Sequence, residues 1–501
     1  MKSSLMTFTV KDLGVSTGGI LIVVINWKDA NHIDVHPLDR ILVRFGKKKT
    51  VAVVDVDIHG KNVKPGRLGV FEELQSKLGL NEGDKVMLDY AKKPTSISFI
   101  RKKLDGGVLK AEETYTIVND IVHDELTDEE LSYYVSGCYT RGMTMQEAID
   151  LTRATVDTGD RIRPKDGQVF LDKHCIGGIP NNRTTMIAVP ILIAAGLKVP
   201  KTSSRSITSP AGTADTMEVL APVTLPLAKM ERMVKEIGGF ITWGGAVSLA
   251  AADDKLIKVR HTLSLDPEGM LLASIMAKKA AVGATHVLID IPLGKDSKVT
   301  TRKQALHLDR QFHKIGRKLG MVVKVMISRG EEPIGNGIGP ALEARDVLWV
   351  LKRDKRGPKD LEQKSVRMAG MLMEMAGIRH GQKRAKELLE CQAAYKAMKR
   401  IIKAQGGDPD VRPERIHIGE HSRLVRSPKS GRVVDINTDL IAHVARVAGA
   451  PVDKAAGIYL HVHEGFTVKK GDPLLTIYSE SKKKLEFALD EYDKGKVMVV
   501  W

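Results

Sequence analysis

Residues 1 to about 90 alternate short apolar runs with polar breaks, as in "ILIVVINW", "ILVRFG", "TVAVVDVDI" and "KVMLDYA", divided by Gly, Asn and Asp. This pattern predicts a small β-rich N-terminal domain. From Asp124 the period lengthens. "DELTDEELSYYVSGCYTRGMTMQEAIDLTRATVDTG" carries, in "TDEE", a threonine N-cap with a glutamate three residues on, then apolar residues at helical spacing. Two helices ending at Gly159 are expected there, within a helical domain over 91–166 that takes a later helical contribution from about 255–285. Between 167 and 410, short apolar strands alternate with amphipathic helices, as in "TTMIAVPILIAAGLKVP", "SIMAKKAAVGATHVLIDIPLG" and "RQFHKIGRKLGMVVKVMISRG". That alternation predicts a central α/β domain with a mainly parallel sheet, whose ligand sites sit at the carboxyl ends of strands. Residues 411–501 mix short strands with one helix at "TDLIAHVARVAG" and predict a compact C-terminal α/β domain.

Composition narrows the class. A chain of 501 residues with 43% hydrophobic residues has room for roughly three or four cores. The early apolar run "GGILIVVINW" falls short of the roughly 20 residues of a membrane helix, so a cytoplasmic protein without a membrane partner is expected. Cys138, Cys175 and Cys391 lie far apart without metal-ligand spacing, which suggests neither a disulfide framework nor a zinc site. The net charge of +17 suits either nucleic acid or phosphorylated small anions. Basic residues are interleaved with acids, and aromatics reach only 4%, so stacking platforms for bases are few and no nucleic-acid partner is expected.

Two polar loops about thirty residues apart stand out. In "DKHCIGGIPNNRTT", Lys173 and His174 precede the Gly177–Gly178 pair, and Asn181 to Thr185 open an apolar helix. Glycines and a lysine ahead of a helix N-terminus form a phosphate site, although an ordinary turn before a helix looks the same. In "SSRSITSPAGTADTMEVL", the hydroxyls of Ser203, Ser204, Ser206, Thr208, Ser209 and Thr213 flank Arg205 and Ile207, and Gly212 permits a tight approach. Asp215 and Glu218 are expected to begin a helix aimed back at those hydroxyls. Serine-rich loops are usually solvated, but two anion-competent helix starts, both following strands, favour a two-anion site.

Together "KHCIGG", "SSRSITSPAGTADTMEVL", "SIMAKKAA", "GIGPALEARDVLWVL" and "AQGGDP" resemble the thymidine and pyrimidine-nucleoside phosphorylase family from about residue 95 to 501. The resemblance implies a nucleoside phosphorylase and class II phosphoribosyltransferase-like fold, and a pentosyltransferase that needs no cofactor or metal, inorganic phosphate being a co-substrate. The chain departs from the family's Lys-His-Ser-Thr-Gly-Gly-Val-Gly-Asp, reading Cys175, Ile176, Gly177, Gly178, Ile179, Pro180 and Asn181 after Lys173 and His174, and it carries an extra N-terminal domain. Both features are similar to an archaeal branch that splits AMP and other nucleoside 5′-monophosphates, CMP and UMP among them, into free base and ribose 1,5-bisphosphate, in nucleotide catabolism feeding an archaeal RuBisCO.

On this resemblance, Lys173, the Gly177–Gly178 backbone, Thr184, Ser203 and Thr213 match phosphate-holding positions, and Arg205 grips either phosphate. Arg183 and the hydroxyls of 204–209 are candidates for the nucleotide's own phosphate. Ser274 and Lys278 match base-contacting residues, and Lys298 is a further substrate contact. The leaving base needs a proton, and two residues compete to give it: His174, which titrates near neutrality, and Asp266, as a buried carboxyl with a raised pKa. Asp266 is equally readable as a cap for the helix opened by Pro267. Asp253 and Asp254 suggest a metal pair only weakly, and no metal is expected. The rivals are a pyrimidine-nucleoside phosphorylase, an anthranilate-phosphoribosyltransferase-like enzyme, and a basic RNA-binding or scaffold protein. A homodimer is expected, with higher assembly through the N-terminal domain.

Overall fold

The computed structural model describes residues 6–91, 93–164, 167–177, 179–206, 209–246, 249–262 and 265–501. Two compact units result: the chain up to Met143 with Lys255–Pro267, and Thr144–Asp254 with Glu268–Trp501.

In the first unit, β1 (Met6–Asp12), β2 (Ile22–Asn26), β3 (Arg40–Phe45), β4 (Lys48–Asp57), β5 (Arg67–Val70) and β6 (Lys85–Tyr90) close into a barrel of order β1-β5-β2-β4-β3-β6. Inward positions such as Phe8, Val10, Val23, Val43, Val54 and Leu88 alternate with outward ones and fill it. β2 stops earlier than the apolar run suggests. The Asn26 side chain accepts from the Lys28 amide and starts a helix at Trp27, turning the run's last residue out of the sheet. Helices Ser96–Leu104, Ala111–Val122 and Asp128–Thr140 follow. Thr127 and Glu130 form the capping box expected from "TDEE".

The second unit holds the parallel sheet. β7 (Leu171–Cys175), β10 (His286–Leu293) and β11 (Val322–Arg329) run parallel in the order β11-β10-β7, and β8 (Val199–Ser203) pairs in parallel with β9 (Gly239–Trp243). A parallel bridge between Phe170 and Lys198 links the two groups. β10 is buried along nearly its whole length, as expected of a central strand covered on both faces. One core joins helix Thr184–Ala194, with Met186, Ile187 and Ile191 at 0% exposure, to helices Lys359–Met375, Gly381–Glu390 and Ala393–Gln405. The other face packs helices Met145–Asp157, Glu268–Ala281 and Arg302–Lys318 through Ile149, Leu272, Ile275 and Phe312.

β12 (Gly337–Ile338), β13 (His421–Arg426), β15 (Gly457–Leu460) and β17 (Pro473–Ser479) form an antiparallel sheet in the order β12-β15-β17-β13, beside β14 (Gly431–Ile436), β16 (Thr467–Val468) and β18 (Met498–Val500). The C-terminal region thus takes a strand from residues far upstream. It also has a second helix, Lys482–Lys494, where the sequence suggested only the one at Thr438–Val447. Among the described residues no helix is long and apolar enough to cross a membrane.

Candidate functional site

β7 ends in the first polar loop. Lys173 is 3% exposed, and its Nζ donates to Thr184 Oγ1 at 2.7 Å. Burial pushes the Lys173 ammonium down to about 8, against the opposing pull of Cys175 and Asp290. Gly177 follows at φ +95°, a conformation that glycine adopts without strain, and a side chain there would begin 3.8 Å from Lys298 Cε. Lys298 therefore converges on this loop. Gly178 lies outside the described residues. Burial, reinforced by Lys279, Lys201, Lys278 and Lys173, holds the His174 imidazole well below its usual range, so the ring is neutral at physiological pH. Asn182 Nδ2 donates to Cys175 Sγ at 2.9 Å.

The second loop leaves the end of β8. Ser203 Oγ is buried with no hydrogen-bond partner among the described residues, an unmet group pointing to a ligand. Beyond it the loop winds around Asp215, whose carboxylate accepts from the Ser206 amide at 2.7 Å and the Gly212 amide at 2.8 Å. Ser206 Oγ donates to the Ser209 carbonyl, and Ser209 Oγ to Ala211 O at 3.1 Å. A Cβ on Gly212 would meet backbone atoms of Ser204, Arg205 and Ser206 at 2.6 Å. Only glycine fits this crossing. The Ser204 carbonyl accepts from the Ala214 amide at 3.3 Å, and Ile207 and Thr208 lie outside the described residues.

Both arginines differ from the expectation of anion ligands. Arg205 bonds Glu218 at 2.6 and 2.8 Å and Asp215 at 3.2 Å, and its guanidinium lies 5.0 Å from the Trp243 ring centroid. Hydrogen bonds to Glu218 raise its pKa further. Glu218 ends the helix Thr213–Glu218 rather than beginning it, and pairs with Arg205 and with Lys454, the latter at 2.6 Å. Arg183, 7% exposed, reaches Glu343, Thr213 Oγ1 at 2.7 Å and Ala211 O at 2.7 Å. Each of its three nitrogens has a protein acceptor, so it braces the two loops against each other.

Ser274 and Lys278, on helix Glu268–Ala281, converge on Asp253 Oδ2 at 2.8 and 2.6 Å. Asp253 therefore serves as their common anchor, and among the described residues no group of three or more metal-ligating side chains is present. Asp266 belongs to the first unit. Its carboxyl is 46% exposed, 3.8 Å from Arg260, so the expected buried carboxyl is not found; the turn at Pro267 leaves it facing solvent. Sequence reasoning passed over Asp172, Lys201, Lys279 and Glu343. A carboxylate and lysines inside strands "FLDKH" and "KVPKT" and the apolar helix "SIMAKKAA" were the available signal, since charges in such runs end up buried.

Three family models match this chain: a glycosyl transferase family helical bundle domain at residues 97–159, a glycosyl transferase family a/b domain at 167–288, and a pyrimidine nucleoside phosphorylase C-terminal domain at 432–498. The AMP phosphorylase of Pyrococcus furiosus is 44% identical over 96% of this chain and 95% of its own length. That of Thermofilum pendens is 44% identical over 93% of this chain and 89% of that protein, and AMP phosphorylase 1 of Archaeoglobus fulgidus is 42% identical over 96% and 95%. Among solved structures, anthranilate phosphoribosyltransferase from Thermus thermophilus aligns with a TM-score of 0.52 at 19% identity, covering 61% of this chain and 98% of that one, a likeness of fold.

Proposed function

The chain belongs to the AMP phosphorylase family, and from that premise we propose that it cleaves AMP, and other nucleoside 5′-monophosphates, with inorganic phosphate to give free base and ribose 1,5-bisphosphate. The observation that carries this reading is the cradle at the ends of β7 and β8. There a buried lysine, a positive-φ glycine and an unpartnered buried serine lie in a chain related over nearly its full length to AMP phosphorylases.

In this reading Lys173, the Gly177 backbone, Thr184, Ser203 and Thr213 hold the phosphate dianion. A phosphate oxygen bonds to C1′ of the ribose while the bond from C1′ to the base nitrogen breaks, and its electron pair leaves with the base. The sugar is cation-like midway, and the held dianion stabilises it. Ser204 and Lys298 are assigned to the nucleotide, while Arg183, Arg205 and the hydroxyls of Ser206 and Ser209, which donate to backbone carbonyls, keep the loop in shape. Lys278 and Ser274, anchored on Asp253, contact the base. The departing base takes a proton. The neutral His174 can hydrogen-bond the base but has no extra proton to give, and Asp266, 46% exposed, lacks the burial expected of an acid.

The same proposal divides the chain into a β-rich domain at 1–90, a helical domain at 91–166, a central domain at 167–410 and a C-terminal domain at 411–501. The closed barrel, which exposes Leu38 and Ile58, is assigned to assembly of dimers into larger particles. Phosphate-dependent base release with AMP, CMP, adenosine and thymidine tests the substrate class. Turnover of the monophosphates is expected to exceed that of the nucleosides, and faster reaction of adenosine or thymidine would reject it.

A further inference from the structure

Beneath the cradle lies a cluster that no step above uses. Asp172 is at 0% exposure; its Oδ1 accepts from the Lys173 backbone amide at 2.7 Å and stands 3.4 Å from Lys201 Nζ, while its Oδ2 pairs with Lys279. Lys201 and Lys279 are 4% and 1% exposed. On the sheet's other side, Asp290 pairs with Lys364 at 2.9 Å and faces Lys173. Four lysines, Lys173, Lys201, Lys279 and Lys364, thus draw on two carboxylates. Two of these positive charges are unmatched. Neighbouring pairs do not supply the difference, because Arg183 is taken by Glu343 and Lys278 by Asp253. Desolvation costs several kcal/mol per buried ion, so the empty protein relieves such an excess by releasing lysine protons, and an anion brought from outside the chain would restore them.

Lys201 sits two residues before Ser203 on β8, on the same face of the strand and so roughly 7 Å away along it. We propose that Lys201 belongs to the phosphate-binding machinery as a positioning residue, its uncompensated charge attracting and orienting the inorganic phosphate dianion held by Lys173 and Ser203 without touching it. The inference rests on reading that cradle as the phosphate site. Burial, together with Lys279 and Lys173, brings the Lys201 ammonium down to about 7 in the empty protein, as expected of a cation waiting for its anion.

The full-length protein with Lys201→Met or Lys201→Arg tests this. Lys201→Met should raise the KM for inorganic phosphate about tenfold or more, the scale of one charge several ångströms away at an effective dielectric of about 20, with kcat and the KM for AMP changing far less. It should also melt at a higher temperature than wild type without ligand, and gain less from added phosphate. Lys201→Arg should keep the wild-type KM for phosphate. A KM for AMP that rises more than that for phosphate overturns the assignment, as does a Lys201→Met protein that is less stable or fails to fold while Lys201→Arg folds, since that marks a merely structural lysine. If wild type neither phosphorolyses AMP nor is stabilised by phosphate, the reading of the site itself falls; if it does both and Lys201→Met behaves identically, only this inference does.

Discussion

The loops after β7 and β8 look alike in sequence, each polar, glycine-bearing and placed before a helix, yet they handle charge in opposite ways. After β7 the cation is buried and short of counter-charge: Lys173 is 3% exposed and reaches a hydroxyl rather than a carboxylate. After β8 the cation is matched within the loop, with Arg205 holding Glu218 and Asp215. A motif's most conspicuous charge can therefore be spent inside the motif itself. In the β8 loop the arginine and aspartate set a shape, and the groups left for an anion are hydroxyls such as that of Ser203.

If the β7 loop supplies charge and the β8 loop supplies shape, the two should break differently. Replacing Lys173 with Met removes the cation proposed to hold the phosphate and should lower kcat/KM by about 10²–10³ while the melting temperature holds or rises. A comparable loss from Arg205→Met, with Lys173→Met mild, would reverse the comparison. The next largest effect is expected from Asp215→Asn. One oxygen of that carboxylate accepts from two amides, Ser206 and Gly212, and an Asn amide cannot serve both them and Arg205. Leaving a buried donor unmet costs about 1–3 kcal/mol, so the midpoint should drop by several degrees and kcat/KM should fall with it. Thermal melts and steady-state rates on the same preparation separate the two signatures, since only the shape variant should lose both.

Much of this architecture was legible from periodicity. "TDEE" fixed the start of helix Asp128–Thr140 through a capping box that works over four residues, and the strand-helix alternation after Gln168 led to a parallel sheet with its loops at the strand ends. What escaped were contacts between residues far apart in the chain. The commitment of Arg183 to Glu343 spans 160 positions, and the strand that Gly337–Ile338 adds to the C-terminal sheet pairs with Ile458 and Tyr459. No local pattern announces either. The acid role of Asp266 required burial, but whether a turn faces solvent is decided by tertiary packing, and the structure leaves it 46% exposed. The pairing of Arg205 with Glu218 escaped for the same reason, because Glu218 looked like a helix opener rather than an acceptor.

The most direct probe of unmatched charge is the pH dependence of stability without ligand. Lys201 and Lys173 are held near about 7 and about 8, mainly by burial, whereas an unfolded lysine keeps its proton up to 10.5. Between pH 7 and 9 the unfolded chain thus binds more protons than the folded one, and stability must rise with pH. Above pH 9 Cys175 opposes the trend, because burial pushes its thiol up to about 11 and the unfolded thiol ionises first. The melting temperature should climb from pH 7 and keep rising, less steeply above pH 9, until the unfolded lysines themselves titrate near 10.5. Saturating phosphate should flatten the climb, since a bound dianion restores the lysine protons. Arg205→Met should leave the ramp intact, its charge being matched by Glu218 whatever the pH in this range, whereas Lys201→Met should remove a large part of it. A ramp that vanishes in Arg205→Met and survives in Lys201→Met would place the unmatched charge in the β8 loop instead.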